Sequence, residues 1–204
     1  MGARRFAGML LMVTSLAAWS APGGQPQALV DAARAQIGVT VRYDPSYARL
    51  SFPGGDVPIE RGVCTDVVVR AYRQLGADLQ LLVHRDMAAH WRAYPNPWGM
   101  KKPDTNIDHR RVPNLETYFA RHGTALPVTR VASDYRPGDI VTWRLPGNLP
   151  HIGIVADARS ASGTPLVIHN IGGGAKMDDR LFEFSIKGHY RYAVQDTSER
   201  GVRR

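Results

Sequence analysis

The sequence predicts an α+β fold, helices first and an antiparallel β-sheet second, on three observations. Apolar residues recur at helical spacing before Gly123, and β-branched strand-like runs dominate after Arg136-Pro137-Gly138-Asp139. Two of those runs are joined by the short polar connection 157–163, which suits a hairpin.

The elements follow in chain order. Residues 1–20 carry Arg4 and Arg5, an apolar run and a small-residue exit, the pattern of a secretory signal peptide too short for a comfortable membrane span. The expectation is therefore an exported protein of the periplasm or cell envelope. One domain is expected over 21–195, monomeric and with no stable membrane span, followed by a disordered tail at 196–204. A first helix is expected over 26–37, with Leu29, Ala32, Ala33 and Ile37 on one face and Gly38 as its stop. Residues 39–60 are rich in turn signals and lead to Cys64. From Cys64 the apolar residues Val67, Val68, Ala71, Tyr72 and Leu75 keep helical spacing up to Gly76. Val67-Val68-Val69 disfavours helix by β-branching, which is reconciled if this helix is packed on much of its circumference. A further helix is expected at 84–94, stopped by Pro95-Asn96-Pro97, and then a polar loop at 98–113. Asn114 is placed to cap a short helix ending at Gly123. Strands are expected at 140–144, 151–156, 166–171 and 190–194.

The charge balance bounds the partners. The net charge is +8, and +6 without Arg4 and Arg5, which favours anionic surfaces such as cell-wall polymers over neutral ones; export makes nucleic acid the least suited. A single cysteine excludes an internal disulfide. There is no H-E-x-x-H, no C-x-x-C and no pair of histidines four apart, so neither a metal nor another cofactor is expected. Gly172-Gly173-Gly174 lacks the lysine of a phosphate loop and reads as a flexible rim.

The residues that suit chemistry are Cys64, His151 and His169. Cys64 stands at a helix start, where the partial positive charge of the free N–H groups lowers a thiol pKa, and a nearby imidazole lowers it further. A hairpin folded symmetrically about Ser160 sets His151 directly opposite His169; a slip of one residue sets Asn170 on that face instead. The bland readings are a buried inert cysteine and two satisfied histidines.

These motifs are similar to those of the NlpC-like, papain-related cysteine peptidases, which cut peptide bonds in bacterial cell-wall stem peptides. More closely, Gly62-Val63-Cys64-Thr65-Asp66-Val67, the run Asn106 to Asn114, His151-Ile152-Gly153-Ile154-Val155, His169-Asn170-Ile171-Gly172 and Gly188-His189-Tyr190-Arg191 resemble an exported bacterial family, domain of unknown function 1287. The resemblance implies a papain-like fold with the nucleophile helix packed on the sheet. It implies Cys64 as nucleophile, His151 as base, His169 as the residue orienting it, and Tyr43 at the oxyanion site; the one-residue slip makes Asn170 the alternate for the third position. Thr65-Asp66 departs from the Ser-Gly usual after the nucleophile. Asp66, His109, Arg110 and Asn170 are the expected substrate contacts, and peptidoglycan or its peptide fragments the expected partner. An acyltransferase and a non-catalytic wall-binding module are the alternatives.

Overall fold

The computed structural model describes residues 24–194; the signal-peptide and tail expectations at 1–20 and 196–204 lie outside the described residues. Four α-helices and a six-stranded antiparallel sheet make up the described chain. The helices are α1 (Gly24–Arg34), α2 (Cys64–Gln74), α3 (Leu79–Ala89) and α4 (Val112–His122). Two short strands, β1 (Arg42–Tyr43) and β2 (Arg61–Gly62), pair in parallel ahead of α2. The sheet is built from β3 (Thr124–Ala125), β4 (Ile140–Leu145), β5 (Leu149–Arg159), β6 (Pro165–Asn170), β7 (Ala175–Asp178) and β8 (Ser185–Arg191), in the order β3-β8-β4-β5-β6-β7. No helix among the described residues is long and apolar enough to cross a membrane.

Helix α2 is the centre of the molecule. Every residue from Cys64 to Tyr72 is buried, so its three valines are enclosed on all sides and their burial, on the order of 1.5–3 kcal/mol each, outweighs their weak helix preference. Its neighbours are α1 and the sheet face formed by Ile140, Ile152, Ile154 and Ile168. The opposite sheet face carries a second core of Val141, Trp143, Val155 and Val167, closed by Tyr135 and Leu181. The alternation of Ile and Val along the strands thus supplies both cores.

Several boundaries differ from the sequence reading. The helix expected at 84–94 is α3, five residues earlier, because Asp78 caps it by accepting a hydrogen bond from Gln80 N–H at 3.2 Å. Asn114 is not a cap: Pro113 occupies the first turn of α4, and Asn114 lies inside it with Nδ2 donating to the Asp108 carbonyl at 3.1 Å. The last strand runs over Ser185–Arg191 rather than 190–194, and β7, directly after the three glycines, is a strand that the sequence reading does not include. The β5–β6 register pairs Ile154 with Ile168 and Val155 with Val167, two residues away from symmetry about Ser160. The even offset keeps both histidines on one face but makes them diagonal neighbours rather than opposed ones.

Arg70, on buried α2, organises the long segment before the helix. Its guanidinium donates to both Asp56 carboxylate oxygens at 2.8 and 3.0 Å, to Thr40 Oγ1 at 2.9 Å, and to the carbonyls of Val57 and Arg61 at 3.1 and 3.0 Å. Replacing Arg70 with Met strands these acceptors, and a loss of about 3 kcal/mol is expected in chemical denaturation. The variant should also be cut faster than wild type by limited proteolysis within 39–60.

Candidate functional site

The segment that delivers Cys64 is fixed by hydrogen bonds on three sides. Val63 N–H donates to Asp66 Oδ2 at 2.7 Å, satisfying a group at the start of α2 that the helix itself leaves free. Gly62 is needed beside it, since a Cβ there would lie 2.9 Å from Asp66 Oδ2 and 3.1 Å from Asp66 Cβ. Asn170 Nδ2 donates to the Gly62 carbonyl at 3.0 Å. The β1–β2 ladder sets Tyr43 beside Gly62, two residues before the cysteine.

Cys64 is the first residue of α2 and is only 4% exposed. Burial pushes its thiol up to about 12; the Ile152, Thr65 and Cys64 backbone N–H groups pull the other way, and the Asp66 carboxylate adds to the rise. The sulfur is therefore a proton-bearing thiol at neutral pH, contrary to the thiolate expected from its place at the helix start. Burial also raises the Tyr43 hydroxyl, with Cys64 and Asp66 adding to it, so this 40% exposed side chain keeps its proton and stays a donor.

His151 and His169 meet, as diagonal neighbours rather than as the directly opposed pair the spacing predicts. His151 Nε2 and His169 Nδ1 are 2.7 Å apart, with ring centroids at 5.0 Å. Gly153 makes room for this diagonal contact, because a Cβ at that position would stand 3.1 Å from His169 Cβ. Burial, and then the charge of His169, hold His151 well below the usual imidazole range; burial holds His169 low as well, against the upward pull of Asp178. Both rings are neutral at pH 7. Behind them stands a residue the sequence reading missed: Asp178 Oδ2 lies 3.5 Å from His169 Nε2. The alternation Ala175-Lys176-Met177-Asp178 after the glycine turn was the available signal.

Cys64 and His151 line one cavity of about 420 Å³ at the end of the sheet where β5 begins, together with Tyr43, Arg111, Trp98 and Gly172. The rest of its wall is largely apolar, including Val63, Val112, Leu149 and Ile171. Arg111 lies over the Trp98 ring at 3.9 Å, on a loop whose ordering the sequence does not reveal. No hydrogen bond joins the Cys64 sulfur to either imidazole among the described residues. Nor is any group of three or more His, Cys, Asp or Glu side chains there placed to hold a metal ion.

The expected substrate contacts need correction. Asp66 is buried and engaged by Val63 and by a two-pronged pair with Arg110, at 2.9 and 3.0 Å. Arg110 borders the cavity, but its remaining donors reach the carbonyls of Ser46 and Asp44 at 3.1 and 3.3 Å. Asn170 is buried on the α2 side of the sheet, away from the histidine face, where it braces Gly62. His109 is buried and does not border the cavity; burial and then Arg110 bring it down to about 4. Asp66, Arg110 and Asn170 are structural supports rather than free ligand-binding groups, and His109 is set away from the cavity.

Two outcomes follow from this electrostatic picture. A thiol raised from 9.0 to about 12 exposes far less thiolate, so iodoacetamide should modify Cys64 in the folded protein at least ~100-fold more slowly at pH 8 than in concentrated guanidinium. His109, His151 and His169 are all lower in the folded state than the ordinary 6.5. Their contribution to stability is then complete above pH of about 6.5 and is lost as pH falls toward about 4 for His109 and His169 and about 3 for His151. Denaturation of wild type and His109→Gln across that range should show the difference between them shrinking, by at most ~1.4 kcal/mol per pH unit.

Comparison with known proteins sets this site in context. A family described as "Domain of unknown function (DUF1287)" matches residues 30–192. The Escherichia coli (strain K12) protein called "Uncharacterized protein YijF" is 58% identical over 168 residues, 82% of this chain and 82% of that protein. A D-inositol 3-phosphate glycosyltransferase of Rhodococcus opacus (strain B4) is 31% identical over 150 residues, 70% of this chain but 29% of that protein. Among solved structures, NlpC1 from Trichomonas vaginalis is similar over 87% of this chain and 47% of that one, at 16% identity and a TM-score of 0.48, too low a likeness to carry a functional comparison. On the family match and the 58% identity to the Escherichia coli protein, this chain belongs to the family of domain of unknown function 1287.

Proposed function

We propose that this protein is an exported, NlpC-like cysteine hydrolase that cleaves a peptide or amide bond in peptidoglycan through a thioester. The observation that carries the reading is one cavity bordered both by the thiol at the start of α2 and by a histidine whose Nε2 is held at 2.7 Å by a second histidine. With Nε2 engaged, Nδ1 is the nitrogen of His151 left for the sulfur.

The steps follow from neutral partners. As substrate enters, His151 closes to hydrogen-bond distance and takes the thiol proton on Nδ1 while the sulfur attacks the carbonyl carbon; catalytic contacts of this kind tighten in the substrate complex. The negative charge that develops on the carbonyl oxygen meets the Cys64 N–H and the Tyr43 hydroxyl. Collapse breaks the C–N bond, and the amine leaves with the proton from His151. Water then attacks the thioester with His151 again as base, returning the proton to sulfur. This is general-base attack by a thiol rather than attack by a preformed thiolate–imidazolium pair, because burial disfavours both charged forms.

A second reading, acyl transfer to an amine, is favoured by the apolar wall of Val63, Val112, Leu149 and Ile171, which limits water at the thioester. Both readings are tested by digesting purified sacculi with wild type, Cys64→Ala and His151→Ala and identifying the products by mass. Each variant should lose more than about 10³-fold of the activity. Equal release by wild type and Cys64→Ala would overturn the nucleophile, and products joined to an added amine in place of water would select transfer.

A further inference from the structure

His169 Nε2 is buried and has no partner at hydrogen-bond distance; the oxygen facing it is Asp178 Oδ2 at 3.5 Å. A ring nitrogen in that position is either an N–H or a lone pair. A lone pair directed at a carboxylate is repelled, whereas an N–H is attracted, so the proton of neutral His169 belongs on Nε2. His169 Nδ1 is then an acceptor. The 2.7 Å contact to His151 Nε2 needs one proton, which must come from His151. His151 therefore carries its proton on Nε2 and its lone pair on Nδ1. The opposite arrangement would leave the His169 lone pair facing the carboxylate.

The carboxylate is built to stay charged. Against the upward pull of partial burial, Lys176 and then His169 lower Asp178, and Arg180 adds to this. Lys176 Nζ and Arg180 Nε approach Oδ2 at 3.4 and 3.3 Å. The register of β6 with β7 pairs His169 with Lys176, two residues before Asp178, so this carboxylate reaches the ring diagonally on the same sheet face. Trp143 is the remaining ring against His151, with centroids 5.7 Å apart, and brings no charge.

We propose that Asp178 is a positioning residue which, acting through His169, fixes the His151 tautomer that presents an unprotonated Nδ1 as the base. The proposal names a residue for the thiol chemistry suggested above and rests on that reading for its catalytic meaning, but the tautomers themselves can be read without substrate.

The test is long-range ¹H–¹⁵N correlation of histidine-labelled protein at pH 7.5 for wild type, Asp178→Asn and Asp178→Leu. Wild type should show His151 and His169 each protonated on Nε2 and pyridine-like on Nδ1. Asp178→Asn, whose amide oxygen still accepts, should keep that pattern, and Asp178→Leu should show averaged or reversed shifts at both rings. In parallel, Cys64 alkylation against pH should fall about ten-fold in Asp178→Leu at neutral pH and recover in Asp178→Asn. On sacculi, kcat should fall with KM little changed. Wild-type His151 protonated on Nδ1, which is read on the unaltered protein, would overturn the proposal; so would an unchanged spectrum in a folded Asp178→Leu. Sacculi left uncut by wild type, with the tautomers as stated, would instead count against the hydrolase and leave the role of Asp178 standing.

Discussion

The Asp66–Arg110 ion pair is the constraint from which the site is assembled. Two carboxylate oxygens hold the guanidinium at 2.9 and 3.0 Å while one of them also receives Val63 N–H at 2.7 Å. The same guanidinium reaches back to the carbonyls of Asp44 and Ser46, immediately after Tyr43. One buried pair therefore links the first turn of α2, the segment bearing Tyr43 and the loop that brings Arg111 and Trp98 to the cavity. Breaking such a pair leaves a charge buried without its partner, which is costly. A substrate amine could not take Asp66 without dismantling the wall that holds Cys64.

Low polarity then governs the chemistry. The helix start and the backbone N–H groups around Cys64 favour a thiolate, yet burial outweighs them and the sulfur keeps its proton. The same surroundings keep His151 and His169 neutral. In that setting, which nitrogen holds a proton is decided by hydrogen bonding rather than by net charge, and a carboxylate one strand away gains influence over the cavity.

The parts of this arrangement that were legible in the sequence are those set by periodicity. The spacing from Cys64 to Tyr72 gave the central helix, and strand parity brought His151 and His169 together even though the hairpin register is two residues from the symmetric one. What could not be read was the direction of charged side chains. Asp66, Arg110, His109 and Asn170 lie close in sequence to site residues, but only the fold shows that all four turn inward, with Asp66 and Arg110 binding each other and Asn170 binding backbone. Asp178 was hidden for a different reason: three glycines before β7 suggested a loose rim, whereas Gly172 and Gly174, at φ of 105° and 87°, make the tight turn that returns the chain as a strand.

The near-complete burial of Cys64 at the cavity wall has a further consequence for the durability of the protein. Peroxides and disulfides consume thiolate, so a sulfur that stays protonated and 4% exposed reacts slowly with both. The same low-polarity wall that raises the pKa of the chain's one cysteine thereby slows its oxidation.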